Sequence, residues 1–309
     1  MPNHYSIQRV LEGALFGGAA RVRNVRFIRW GGRVVAAALV ATSANAMAQS
    51  FSFSTGDPDG KMATASRPES AGKIEIESAD DFNLSAPVTI NNASFTGLLP
   101  TGAQLSDVKE VVVEIYRVFP NDSTQPPSGN VPTRNNSPSD VAFLSRDSAA
   151  ATLSFSTALL NQSFTAQNSV LNGIFPKPNQ NTLGEGSVTG QEVRFDIKFT
   201  TPIDLPIDHY FFIPQVELNT GDFFWLSAPK PIVAPGTPFN PDLQSWIRNG
   251  SLDPDWLRIG TDIVGGTTPP TFNASFSLSG MVPDAASTAG LLGAAMCVLA
   301  WCRRSRLAD

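Results

Sequence analysis

Glu192-Val193-Arg194-Phe195-Asp196-Ile197-Lys198-Phe199 alternates charged and apolar side chains without an error. Successive side chains of an extended chain point to opposite faces, so this stretch puts four apolar groups on one face of a sheet and four charges on the other. It reads as a half-buried antiparallel strand. Lys73-Ile74-Glu75-Ile76-Glu77 repeats the pattern over a shorter span. Residues 111–119 are apolar on both faces apart from Glu114 and Arg117, and 209–218 and 223–226 are similar, so these read as central strands. Residues 271–278 supply a closing strand. Between them lie turn clusters such as Pro120-Asn121-Asp122, Asn135-Asn136-Ser137-Pro138 and Ala234-Pro235-Gly236. With 24 Gly and 24 Pro in the chain, long helices have little room, and only 241–249 and 156–162 read as helical. The expected fold is all-β, an antiparallel β-sandwich of jelly-roll-like type with long loops. Residues 121–140, rich in Pro, Ser and Asn, read as an exposed excursion. Asn92-Ala93-Ser94-Phe95 and Asn273-Ala274-Ser275-Phe276 echo each other, a pair too short to count as a repeat but compatible with neighbouring strands.

The two ends have a different character. Arg9, Arg21, Arg23, Arg26, Arg29 and Arg33 precede the apolar run 34–41, and Ala46-Met47-Ala48 places small residues where a signal peptidase reads them. Residues 1–48 therefore read as a secretory leader with an N-terminal extension, cleaved after Ala48. No adjacent arginine pair occurs in it, which favours general secretion. At the other end, residues 285–302 carry no charge, a length near the roughly 17 to 25 residues needed to cross a bilayer. Arg303, Arg304 and Arg306 follow, and such a cluster keeps its end of a helix on the cytoplasmic side. The expected organisation is a leader (1–48), one β-sandwich domain (49–281) and a C-terminal segment (282–309) containing an apolar helix. A second small sandwich beginning near Gly184 is the alternative.

The order Val282-Pro283-Asp284, apolar run, Arg303-Arg304 resembles the VPDSG variant of the PEP-CTERM sorting signals, with Ala285-Ala286 standing where that variant has Ser-Gly. The resemblance implies export across an inner membrane, transient anchoring there through the C-terminal helix, and handling by an exosortase-type enzyme. It implies delivery to the cell envelope or the extracellular space. Ser78-Ala79-Asp80-Asp81-Phe82 is similar to the start of jelly-roll domains in secreted bacterial proteins. Stretches within 68–82, 131–146 and 229–266 resemble a family of bacterial secreted proteins, a likeness that carries no activity.

Nine of the 22 basic residues and three of the 27 acidic ones lie outside 49–281, leaving 13 against 24 and a net charge of −11, compared with −5 for the whole chain. That balance disfavours nucleic-acid partners. Both cysteines, Cys297 and Cys302, lie in the apolar tail, so the domain has no disulfide and no thiol chemistry. A chain of roughly 230 residues buries about 70 to 75% of its unfolded surface and needs no staple.

Candidate chemistry is thin. Asp57 and Asp59, in Asp-Pro-Asp-Gly, and the adjacent Asp80 and Asp81 offer the hard oxygens that calcium takes, set against a plain turn and a strand-start cap. Calcium is the one cofactor these residues suggest. Trp225, Trp246 and Trp256, the last beside Asp253 and Asp255, offer stacking faces for sugars, although a tryptophan in a sandwich more often sits in the core. Asp204 and Asp208 flank a proline-rich turn as a conceivable acid pair. His209 is the only histidine downstream of the leader, and no Gly-x-Ser-x-Gly elbow presents a serine to it. No phosphate-binding or dinucleotide signature occurs. The reading favours an exported, non-enzymatic surface or matrix protein, structural or adhesive, with extracellular polysaccharide as its partner. A carbohydrate-binding, calcium-assisted module is the alternative and an extracellular hydrolase the third.

Overall fold

A computed structural model describes residues 49–70, 72–124, 129–174, 181–230 and 242–283. The predicted leader, including Ala46 and Ala48, and the tail from Asp284 through Arg303, Arg304 and Arg306 lie outside these residues. The strands are β1 (Gln49–Ser54), β2 (Met62–Ala65), β3 (Ile76–Asn83), β4 (Val88–Pro100), β5 (Val108–Arg117), β6 (Leu144–Asp147), β7 (Leu153–Ala166), β8 (Asn168–Val170), β9 (Val188–Leu205), β10 (His209–Leu218), β11 (Phe224–Ala228), β12 (Trp246–Asn249), β13 (Leu257–Arg258), β14 (Asn273–Ala274) and β15 (Phe276–Val282). A 3-10 turn at Leu105–Asp107 and a π-helical turn at Ile259–Val264 interrupt them. Among the described residues no helix is long and apolar enough to cross a membrane, and 285–302 is not among them.

Two sheets face each other. The first is organised on β4, which pairs along one edge with β9 and along the other with β15 and then, past Phe95, with β11. β1 continues beyond β15, β7 beyond β9, and β2 beyond β11, with β8 pairing parallel to β2. The second sheet runs β13-β12-β3-β10-β5-β6. Their inner faces close one core, in which Phe95, Phe195, Phe276 and Ile90 from the first sheet meet Phe82, Val113, Tyr210 and Phe212 from the second.

The alternating octapeptide lies within β9, and its apolar set, Val193, Phe195, Ile197 and Phe199, enters that core as the period of two requires. The echoing tetrapeptides end on facing residues: Phe276 is opposite Phe95 in the β15–β4 register. The segment after Gly184 is built into the first sheet, since β9 lies between β4 and β7.

Several local expectations are corrected. Residues 156–162 are not helical but belong to β7, whose backbone bonds are supplied by the long edge of β9. In 241–249, Trp246–Asn249 forms β12 against β3. In both cases long-range pairing outweighs a weak local helical pattern. The closing strand is split at Ser275, and the Lys73–Glu77 alternation becomes a strand only at Ile76. The excursion 121–140 is anchored rather than wholly exposed: Val131, Arg134, Ser137, Ser139 and Asp140 are all buried. Arg134 explains this. Its guanidinium reaches Asp140 at 2.6 Å and Asp255 at 3.0 Å, and lies over the Phe119 ring.

Candidate functional site

The outer face of the second sheet carries a buried polar group. Val113 and Ile115 of β5 point into the main core, so Glu114 and Tyr116 point the other way. On β3, Phe82 is in the core and Ala79 in the cluster on the outer face, so Glu77 shares that outer face, and Arg248 of β12 stands opposite it in register. Trp246, Trp256, Phe211, Ile213 and Leu243 form a second small core over this face. Arg248 is the centre. Its Nε donates to Glu77, Nη1 to Asp253 at 2.6 Å and Nη2 to the Tyr116 hydroxyl at 2.9 Å. The guanidinium also sits 4.4 Å over the Trp256 ring and 5.3 Å from that of Tyr116. Gln215, from β10, donates to Glu75 at 2.9 Å, and Glu75, Glu77 and Glu114 bring carboxyl oxygens within 4.8 Å of one another.

The electrostatics follow from this crowding. Burial, and then the negative charges of Glu77 and Glu75, push the Glu114 carboxyl up to about 8 from an ordinary 4.5. Burial and Glu77 raise Glu75 as well. Burial opposes the Arg248 cation, yet Glu77, Tyr116 and Asp253 hold its proton more firmly than usual. A carboxyl whose folded value is raised keeps its proton in the folded chain while the unfolded chain has lost it. The stability it contributes is present in full below the unfolded value near 4.5 and is lost as pH rises through about 8. Urea midpoints measured in chelator should therefore fall from pH 5 to pH 8, and Glu114→Gln should reduce that fall. An unchanged slope in the variant would show that Glu114 does not titrate in this window.

The aspartates expected to bind calcium do not gather. Asp57 is exposed in its turn, whereas Asp59 pairs with Lys61 at 3.2 Å and accepts from the Ser227 hydroxyl. Asp80 and Asp81, being adjacent on β3, leave on opposite faces and take different partners. Asp80 accepts from the Ser245 hydroxyl and the Ala274 amide, both at 2.9 Å, tying β3 to the other sheet. Burial and then Asp81 hold its carboxyl well above the ordinary range. Asp81 meets His209 Nε2 at 2.7 Å. None of the four belongs to a group of three metal-ligating side chains among the described residues.

Neither the tryptophans nor the acid pair form the arrangement considered from sequence. Trp225, Trp246 and Trp256 are all at most 1% exposed and offer no stacking face. Asp204 accepts from Thr89, while Asp208 pairs with Arg117 at 2.8 Å. Val282, the first residue of the segment expected from sequence to be a sorting signal, ends β15 opposite Gln49, the residue that follows the predicted cleavage point. Pro283 is the last described residue.

A second, open surface lies on the outer face of the first sheet. Ser54, Ser277, Ser94, Asp196 and Ser156 stand side by side across β1, β15, β4, β9 and β7. The next row is Ser52, Ser279, Asn92, Lys198 and Ser154. With strands about 4.8 Å apart, each row spans roughly 19 Å. A shallow depression of about 400 Å³ runs over the middle strands, and Ser94 and Ser277 share a hydrogen bond of 2.7 Å on its floor. Both features escaped sequence reading. The serines are unremarkable one at a time and become a surface only through register; Glu114 showed only as a break in an apolar strand.

Comparison with protein-family models, with curated proteins and with solved structures finds no match to this chain.

Proposed function

We propose that this chain is an exported cell-surface or extracellular-matrix protein whose jelly-roll-like sandwich is adhesive rather than catalytic and holds extracellular polysaccharide on the serine-rich face. The carrying observation is that double row: hydroxyl, amide and one Asp196–Lys198 set of charges laid across five strands. Short hydroxyl and amide groups exchange hydrogen bonds with sugar hydroxyls in either direction. A regular row matches a repeating polymer better than a single small substrate. The ends of the sandwich support the export part of the reading. Gln49 and Val282 are paired neighbours, so the leader and the sorting tail would depart from the same end of the first sheet. In this reading signal peptidase cuts after Ala48, and an exosortase-type enzyme acts on the segment from Val282, while the apolar helix holds the chain in the inner membrane for a time. The net charge of −11 over 49–281 fits a partner other than nucleic acid.

Protein released by producing cells should begin at Gln49 by intact mass and lack the terminal arginines. The same material should be retarded in native gels containing a neutral polysaccharide. The double variant Ser94→Glu and Ser277→Glu should weaken that retardation by about tenfold, or roughly 1.4 kcal/mol, with little change in melting temperature. Equal retardation of parent and variant would remove the serine face from the proposal, and retention of the full chain inside the cell would remove export.

A further inference from the structure

The carboxyl group around Arg248 is short of positive charge. One guanidinium serves Glu77 and Asp253 directly, while Glu75 and Glu114 press against Glu77 from the side. Glu77 is the most deeply placed of them, its side chain 3% exposed. It gives Oε2 to Arg248, and its buried Oε1 has no partner other than the neighbouring carboxyl of Glu114. A buried carboxylate oxygen left alone is costly, and folded proteins rarely keep one without a donor, a water or an ion.

The donor set selects the ion. Glu75, Glu77 and Glu114 each place one oxygen within 4.8 Å of the others. Three carboxylates exceed the one or two through which magnesium is usually held, whereas calcium accepts a flexible shell of several carboxylate oxygens and waters. We propose that Glu75, Glu77 and Glu114 form a calcium site, with Glu77 Oε1 as its innermost ligand. The three ligands come from the entry to β3, from β3 itself and from β5, so an ion there ties two strands of the sheet that are separated by β10. Glu75 and Glu114 are only partly buried, which leaves the outer side for water to complete the shell. Arg248, on the inner side, remains bound to the other oxygen of Glu77 and balances part of the charge. This site is independent of the serine face, which lies on the other sheet.

The full chain, stripped with chelator and then freed of it, should be titrated with calcium chloride by calorimetry and by thermal melting, with magnesium chloride as the comparison. One ion per chain is expected, with a dissociation constant of about 10⁻⁴ to 10⁻³ M, the range of extracellular sites. The melting temperature should rise by several degrees in calcium and much less in magnesium. Glu114→Gln should lose the calcium response while melting in chelator at or above the parent temperature. Glu75→Gln, at the exposed side, serves as the second variant should the first fail to fold. Absence of a saturable calcium response up to about 10 mM would overturn the proposal, as would an equal response in parent and variant. An infrared band of a protonated carboxyl that persists in calcium and disappears in Glu114→Gln would also overturn it, assigning the group a shared proton instead.

Discussion

Replacing Arg248 by Met should cost about 3–5 kcal/mol of unfolding free energy, the loss seen when one partner of a buried ion pair is removed. Glu77 and Tyr116 would both lose their guanidinium partner in a place that water does not reach, since Arg248 is 5% and Glu77 2% exposed. The methionine chain would keep much of the contact with the Trp256 and Tyr116 rings, so the loss reports the charge rather than a hole. Against a total stability of about 5–15 kcal/mol this is a large share. The second variant makes the cause visible. Arg248→Met combined with Glu77→Met removes both charges and should recover most of the loss, because a buried pair replaced by apolar groups of similar volume is often neutral or better. Urea unfolding of the two variants and the parent in chelator checks this. A single variant that loses less than about 1 kcal/mol, or a double variant no better than the single, would mean that Glu77 finds another partner or a proton.

How much of this was legible follows from where the information lies. Val193, Phe195, Ile197 and Phe199 announce their face because period two is a local property, and the strand around them is found where it is expected. Ser156–Gln162 misleads because a strand at a sheet edge needs no local alternation when its partner is as long as β9. The burial of Arg134 is invisible for a different reason. Its carboxylates, Asp140 and Asp255, are 6 and 121 residues away, and only the fold brings the second to it. For Asp80 and Asp81 the obstacle is parity: neighbours on one strand leave on opposite faces, and the two take Ser245 and His209 as separate partners. Conversely, Glu77 and Glu114 read as ordinary strand polar residues, and it is parity in two different strands that puts them on one face. The serine rows have no local signal at all.

Phe95→Ala should be the most damaging single truncation in the main core, with an expected loss of about 3–5 kcal/mol. Phe95 lies on β4, the strand that holds the first sheet together, and its register partners on the two sides are Phe276 and Phe195. It stacks on Phe195 with centroids 4.8 Å apart and planes 6° from parallel, and meets the edge of Phe223 at 5.8 Å. It also touches Phe212 of the facing sheet at 6.5 Å, so the ring is part of the contact between the sheets. Each well-placed aromatic pair adds about 0.5–1.5 kcal/mol beyond its burial. Collapse into the vacated space is restricted. Two residues along, Gly97 already lets Phe223 approach so closely that a methyl group there would lie 2.2 Å from its ring, which leaves Phe223 wedged against β4. A cavity that cannot close retains its full cost, on the order of 24 cal/mol for each Å³. Phe95→Leu keeps most of the volume and should lose less than half as much. Urea denaturation of both variants, with the slope monitored to confirm unchanged compactness, decides the matter. If Phe95→Ala loses no more than Phe95→Leu, then β4 is not the strand on which the two sheets are registered, and the contact between them rests on the Phe53, Phe82 and Tyr210 side of the core instead.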